Sequence, residues 1–442
     1  MQSFTSIGPM LDIAALFSVI AIYSGIFLPV VVLLSFLLSY STMNTAYRLS
    51  NVFITNGGYY SYVGKVLGKR TGVFTGIIYL LYGSLVLPNI SLFISNFIVA
   101  SIDVFMPVQL WMEIIIAIMF SSMIVLFVSR GLKLTIKYIV LTGIMELFFI
   151  LIMSYLFFVH GVVGFGIYSG RSFDLNGMWL GLLFGILAFA GGSSSIFLSD
   201  NVKAPEKTIP RSIFYSYTVS GVVMVISSLS LVFFIGYGGI VSYSINPFFI
   251  VNMISKRFGI YVVLIYIFFT VLSASNLCVS YLNALSNVTR KMVSDNFFGT
   301  LKSRDKATTT LLSFVLLLSI TLELFSYNYL GYFNMFVILA GIVSLSYILI
   351  HVITNIALLK VAGKLNSLSS KILSLTSTII LSISFYYSVA DITFPLILSD
   401  ILFGISVIST ILVIIYLYWR KTTYNLIEFN VRESLHLSDT DP

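Results

Sequence analysis

Long apolar runs dominate this chain, and they leave it few ways to fold. Twelve of them follow one another, at 4–23, 26–47, 72–100, 110–128, 135–159, 178–198, 212–235, 260–288, 308–325, 332–358, 372–389 and 394–419, separated by short polar connections. About 20 apolar residues in a helix cross the roughly 30 Å of hydrocarbon in a bilayer. The sequence therefore predicts an all-α integral membrane protein with about twelve transmembrane helices, numbered below as spans 1–12. Composition agrees: only 9% of the 442 residues are charged and the mean hydropathy is +1.04, whereas a soluble domain carries about a quarter charged residues.

Charge sets the orientation. Of the 24 Lys and Arg residues, 21 fall in loops that follow even-numbered spans and in the C-terminal segment, leaving Arg171, Lys256 and Arg257 on the other side. Basic loops stay on the cytoplasmic side, so both termini are expected in the cytoplasm of a cell-membrane protein. The net charge of +8 then reflects orientation and contact with anionic lipid rather than a nucleic-acid partner. The single cysteine, Cys278, excludes a disulfide framework and a cysteine-based metal site. The single membrane domain is expected to cover 1–421, with the polar segment 422–442 as a loosely folded cytoplasmic tail.

Helix breakers inside apolar runs are the most informative local signal, because an unpaired backbone group costs several kcal/mol in lipid and is tolerated only beside a cavity. Ser6-Ile7-Gly8-Pro9 interrupts span 1 and Ala190-Gly191-Gly192-Ser193-Ser194-Ser195 interrupts span 6. These spans open two halves of five spans each, about 1–160 and 178–358, with extra helices at about 372–419. Breaks at matching places in two halves point to a midplane binding site in a secondary transporter. The competing reading, close helix packing by small residues, is weaker for two matched breaks than for one. Pro88-Asn89 in span 3 reads as a simple kink.

From this geometry the substrate site is expected to draw on Ser6, Ile7, Gly8, Met10, Leu11 and Asp12 from span 1. Span 6 would add Leu187, Ala188, Phe189, Ala190, Gly191 and Gly192. Amides freed near Gly8, Met10 and Leu11 suit a carboxylate. Carbonyls freed near Leu187, Ala188 and Ala190 suit an ammonium group, with Phe189 or a nearby aromatic closing over the substrate. Asp12 and Glu146 lie at hydrocarbon depth, where burying a carboxylate costs about 2.5 kcal/mol or more unless it is paired or protonated. Asp12 is read as a partner for a substrate ammonium or a gate, or as a cavity-facing polar residue. Ser273, Ser275 and Asn276 in span 8 offer oxygens to a sodium ion, although hydroxyls in membrane helices more often bond the backbone. His160, His351 and His436 do not converge.

Several stretches resemble the amino acid/polyamine/organocation permeases. Gly57-Gly58-Tyr59-Tyr60-Ser61-Tyr62-Val63 with Leu67-Gly68 is similar to the family's GG-x-Y-x-Y signature. Phe189-Ala190-Gly191 with Ser199-Asp200-Asn201-Val202-Lys203-Ala204-Pro205 and Ile209-Pro210-Arg211 is similar to its sixth span and following loop. Arg130-Gly131-Leu132-Lys133 and Thr289-Arg290 fall where the family has them. The resemblance implies a leucine-transporter-type fold of five plus five inverted spans with two more at the C-terminus. It also implies an amino acid or amine as substrate and a coupling-ion site in span 5 near Glu146, which makes Glu146 a candidate proton carrier. Two departures touch substrate choice: Asp200-Asn201 stands where an acidic pair is usual, and Ile7-Gly8-Pro9 where a GxG-type break is usual.

No cofactor is expected beyond coupling to H+ or Na+, and the partners are a small-molecule substrate and the lipid bilayer. An intramembrane enzyme is disfavoured because the sequence lacks H-E-x-x-H, G-x-S-x-G and phosphate-loop motifs. A receptor that binds solute without moving it remains the rival class.

Overall fold

The computed structural model describes residues 1–162, 175–298, 303–364, 367–390, 394–420, 427–429 and 431–433. It is all-α, and each expected span corresponds to helix. Span 1 is built from three pieces, Gln2–Ile7, Pro9–Ala14 and Leu16–Ser24, and leads through a single 3-10 turn, Gly25–Phe27, into span 2, Leu28–Val52. Spans 3, 4 and 5 are Lys69–Asp103, Trp111–Ser129 and Leu132–Val159. Span 6 is Leu175–Leu187, a non-helical segment, and a 3-10 stretch, Ser194–Asn201. Spans 7 to 12 are Pro205–Ile245, Ile260–Ser294, Arg304–Tyr329, Tyr332–Lys364, Leu368–Ala390 and Leu396–Trp419. Gly236 breaks span 7 near its end with a left-handed backbone. Among the described residues, ten helical stretches are long and apolar enough to cross a membrane, the first joining the outer part of span 1 to span 2.

Packing separates a centre from a rim. Of the most apolar segment of each span, 83% is buried in spans 3 and 10 but only 28% in spans 9 and 11 and 11% in span 12. The rim therefore faces lipid, and large apolar side chains such as Met123, Leu317 and Tyr386 project outward from it. Spans 2, 7 and 8 pack against the broken spans 1 and 6 and span 10 against the first part of span 6, while span 3 packs on spans 8 and 10. The serine-rich inner faces of these helices satisfy their own hydroxyls by bonding carbonyls three or four residues back, as Ser35, Ser344 and Thr354 do. That local pairing is what lets so many hydroxyls be buried in an apolar setting.

Of the segment expected to be a loosely folded tail, the described residues 427–429 and 431–433 are packed against the rest of the protein. Arg432–Glu433 pairs antiparallel with Phe53–Ile54 after span 2, and Lys65 Nζ meets Glu433 Oε1 at 3.2 Å. Ile427 is fully buried, and the Phe429 ring packs at a tilt against Tyr60, with centroids 4.9 Å apart, over the closely apposed Gly64 and Gly72. A Cβ on either glycine would meet that ring at 2.1 and 2.6 Å respectively. An apolar pair, Ile427 and Phe429, in an otherwise polar segment thus anchors it to the helix Gly58–Leu67.

Candidate functional site

The two breaks meet. Gly8 adopts the left-handed conformation that stops the first piece of span 1, and Pro9 starts the next piece without needing a donor. In span 6, Gly191 has φ +88°, and a Cβ there would lie 2.5 Å from the Ser6 carbonyl oxygen. Only glycine lets the two backbones come this close. Ser6 Oγ and Ser194 Oγ are 2.6 Å apart, and the Ser195 N–H donates to Ser3 Oγ at 3.1 Å. The two breaks are thereby tied together by serine side chains, one of which takes up a backbone N–H of span 6.

Above this junction lies a narrow cavity of about 40 Å³. Of the residues proposed from the sequence, Ser6, Ile7, Leu11, Asp12, Leu187 and Ala190 line it, together with Asn89, Leu277, Tyr281 and Phe336 from spans 3, 8 and 10. Its wall is mostly apolar. Asp12 is 4% exposed and its Oδ2 has no hydrogen-bond partner within the protein; the same holds for Asn89 Oδ1. Asp12 thus places a carboxyl group, with one oxygen unpartnered within the protein, in the wall of an apolar cavity.

Behind the cavity, Glu146 ties three spans together. Its Oε1 accepts from the Met10 N–H at 3.2 Å and from Ser273 Oγ at 2.6 Å, and its Oε2 from Asn276 Nδ2 at 3.1 Å. Asn276 is itself oriented by Thr142, whose hydroxyl donates to Asn276 Oδ1 at 2.6 Å. The Leu11 N–H donates to Ser273 Oγ at 3.1 Å. Glu146, Ser273 and Asn276 are all fully buried.

Several sequence expectations change at this level of detail. The Met10 and Leu11 amides, read as carboxylate ligands, are engaged by Glu146 and Ser273, because spans 5 and 8 pack directly against the break. Met10 does not line the cavity. Gly8 sits against Leu277, whose Cδ1 would lie 2.7 Å from an added Cβ. Phe189 does not close over the cavity: it packs against Phe36 of span 2, with ring centroids 5.8 Å apart. Ala188 is buried away from it, and the Leu187 carbonyl accepts from the Ala190 N–H at 2.8 Å and is not free. Gly191 lies below the cavity and Gly192 faces Tyr217. Ser275 bonds the Val271 carbonyl at 2.9 Å and stays apart from Glu146.

Between the cavity and the Lys- and Arg-rich side lies an aromatic layer of Tyr59, Tyr79, Tyr82, Phe197, Tyr281 and Tyr347. Tyr82 bonds Tyr281, and Tyr59 bonds Ser193. Below it, Asn56 Nδ2 donates to Asp200 Oδ2 at 2.7 Å while the Asp200 N–H donates to Asn56 Oδ1 at 2.8 Å. The residues around Gly57-Gly58 and Ser199-Asp200 are thus bonded to one another below the cavity.

The family model described as Amino acid permease matches residues 1–435 of the chain. The chain belongs to the amino acid permease family. No curated protein matches it. The permease is accordingly a multi-pass membrane protein of a transporter family whose substrates are small molecules such as amino acids. The family is one of transporters, not enzymes. Tyr281, Phe336 and Asn89 were not singled out as site residues from the sequence, since one more aromatic or amide within an apolar helix carries no mark of which way it faces.

The close approach at Gly191 gives a first test. Gly191→Ala adds a Cβ at a left-handed position, at about 1–2 kcal/mol, and forces the breaks apart for about 1–3 kcal/mol more. Uptake is expected to fall at least about tenfold with the amount of inserted protein unchanged. Full uptake by the purified variant in liposomes would sink the close-contact account.

Proposed function

We propose that the permease is a secondary active transporter that moves an amino acid or related amine across the cell membrane by alternating access, with both termini in the cytoplasm. The observation that carries this reading is the unpaired carboxylate of Asp12 in an apolar cavity between two broken helices. An ammonium group is what such a carboxylate lacks, since an uncompensated buried charge is costly and a paired one far less so. The inner barrier of Tyr59, Tyr82 and Tyr281 would open, and an outer one close, as the two five-span halves rock about the site. Proton coupling is assigned to Glu146, which bridges spans 1, 5 and 8 and so responds to any movement of the broken helix. In this reading the partners are the substrate and the lipid bilayer.

A second reading, transport of amines or organic cations without a carboxylate, draws support from the engaged amides of Met10 and Leu11. A thermal-shift screen of the purified protein with amino acids and their decarboxylated amines separates the two, because a ligand at 100 times its Kd adds about 2.7 kcal/mol of stability. Counterflow then tests transport itself: sealed liposomes preloaded with the best ligand are expected to accumulate the labelled form. Binding without exchange would identify a receptor instead.

A further inference from the structure

A second carboxylate lies at membrane depth, away from both Asp12 and Glu146. Glu323 sits on the inner face of span 9, six residues before its end at Tyr329, about 9 Å below the end of the helix. It is fully buried, as are Ser91 of span 3 and Ser121 of span 4, which both donate to its Oε1, Ser121 at 2.7 Å. Its Oε2 is buried with no hydrogen-bond partner within the protein. The ion pairs among the described residues all lie elsewhere.

Among the described residues, none of the groups that interact with Glu323 is a cation. Span 4 contributes Glu113, which accepts from Asn96 of span 3 at 2.6 Å; span 10 contributes Tyr332, and span 9 itself Tyr327. Tyr332 lies within electrostatic reach of both Glu323 and Glu113, and its hydroxyl also lacks a partner. Glu113, Asn96, Tyr327, Tyr332 and Asn334 line a cavity of about 310 Å³ on the side away from the basic loops.

We propose that Glu323 is a protonation site of the permease, loaded from this cavity and distinct from Glu146. Two hydroxyl donors satisfy one carboxyl oxygen, and a proton on the other makes the group neutral, which is the form an apolar, cation-free setting accepts. A water in the cavity delivers that proton and the unpaired Tyr332 hydroxyl stands on the way. Span 3 is common to this site and the substrate cavity, since Ser91 is two residues from Asn89.

Infrared difference spectra of the full-length protein in lipid vesicles at neutral pH test the assignment directly. Subtracting Glu323→Gln from wild type is expected to reveal the carbonyl absorption of one protonated carboxyl group, and the same band is expected to cancel when Glu146→Gln is subtracted, because that variant keeps it. Ser121→Ala, which removes one donor from Oε1, is expected to move the same band to higher wavenumber, so the test stands even if Glu323→Gln does not fold. Loss of an ionised carboxylate band in Glu323→Gln would overturn the proposal, as would assignment of the acid band to Glu146 or an unmoved band in Ser121→Ala. None of these readouts depends on transport, so the role of Glu146 in coupling can fail while this site stands.

Discussion

Asp12→Asn is expected to weaken the apparent affinity for substrate by at least about 30-fold, with uptake at low substrate falling in proportion. Asparagine keeps the shape of aspartate and removes its charge, so the cavity wall survives while the ammonium loses its counter-ion. Removing one partner of a buried charge pair costs about 2–5 kcal/mol, and each 1.4 kcal/mol is a factor of ten. The stability of the unliganded protein should move the other way. Asp12 Oδ2 has no partner within the protein, and neutralising an uncompensated buried carboxylate relieves its desolvation cost. The two signs together make a sharp test: a higher apparent Tm without ligand, and a much smaller rise when ligand is added. An unchanged KM for uptake would remove Asp12 from substrate recognition.

Glu146→Gln is expected to abolish accumulation driven by a proton gradient while leaving exchange of substrate for substrate measurable. In the wild type, uptake should rise as the external side is made more acidic, because protons then drive entry, and in the variant this dependence should be flat. A glutamine cannot shed or take up a proton in this range. It also brings a donor where Glu146 only accepts. If its oxygen keeps the Met10 and Ser273 bonds, its amide faces Asn276 Nδ2, and Asn276 cannot turn over freely because Thr142 donates to its Oδ1. One mispaired buried donor costs about 1–3 kcal/mol, so some loss of stability should accompany the loss of coupling. Proton-driven uptake that keeps its pH dependence in Glu146→Gln would refute the assignment.

How much of this was legible in the sequence differs sharply between backbone and side chains. The two breaks, and the idea that they meet, followed from Gly8-Pro9 and Gly191-Gly192 alone. Glu146 was legible because a carboxylate in an apolar run has few excuses. Glu323 follows the same rule, yet it lies toward the end of span 9, close to the polar Ser326-Tyr327-Asn328, where a carboxylate stands out less. Its burial comes from Ser91 and Ser121, 232 and 202 residues away in the chain. Phe189 shows the opposite error: its place beside Gly191 suggested a lid, but the change of direction at the break turns the ring toward Phe36. The docked tail was missed because two apolar residues, Ile427 and Phe429, are too few to register against a polar background; their receptor is a glycine notch built by Gly64 and Gly72.

The sequence by itself determined the membrane class, the twelve spans and the position of the two breaks. An apolar solvent requires every backbone group to be paired within its own helix, so each departure is written locally in glycine and proline. Which polar groups face one another was decided only by the tertiary structure. Met10 finds Glu146 across 136 residues and Leu11 finds Ser273 across 262, and no local rule encodes such pairings. The amides that the sequence offered to a substrate carboxylate were taken by the protein's own side chains once spans 5 and 8 packed against span 1. In the function proposed above, the group left to meet a ligand's ammonium is the carboxyl of Asp12.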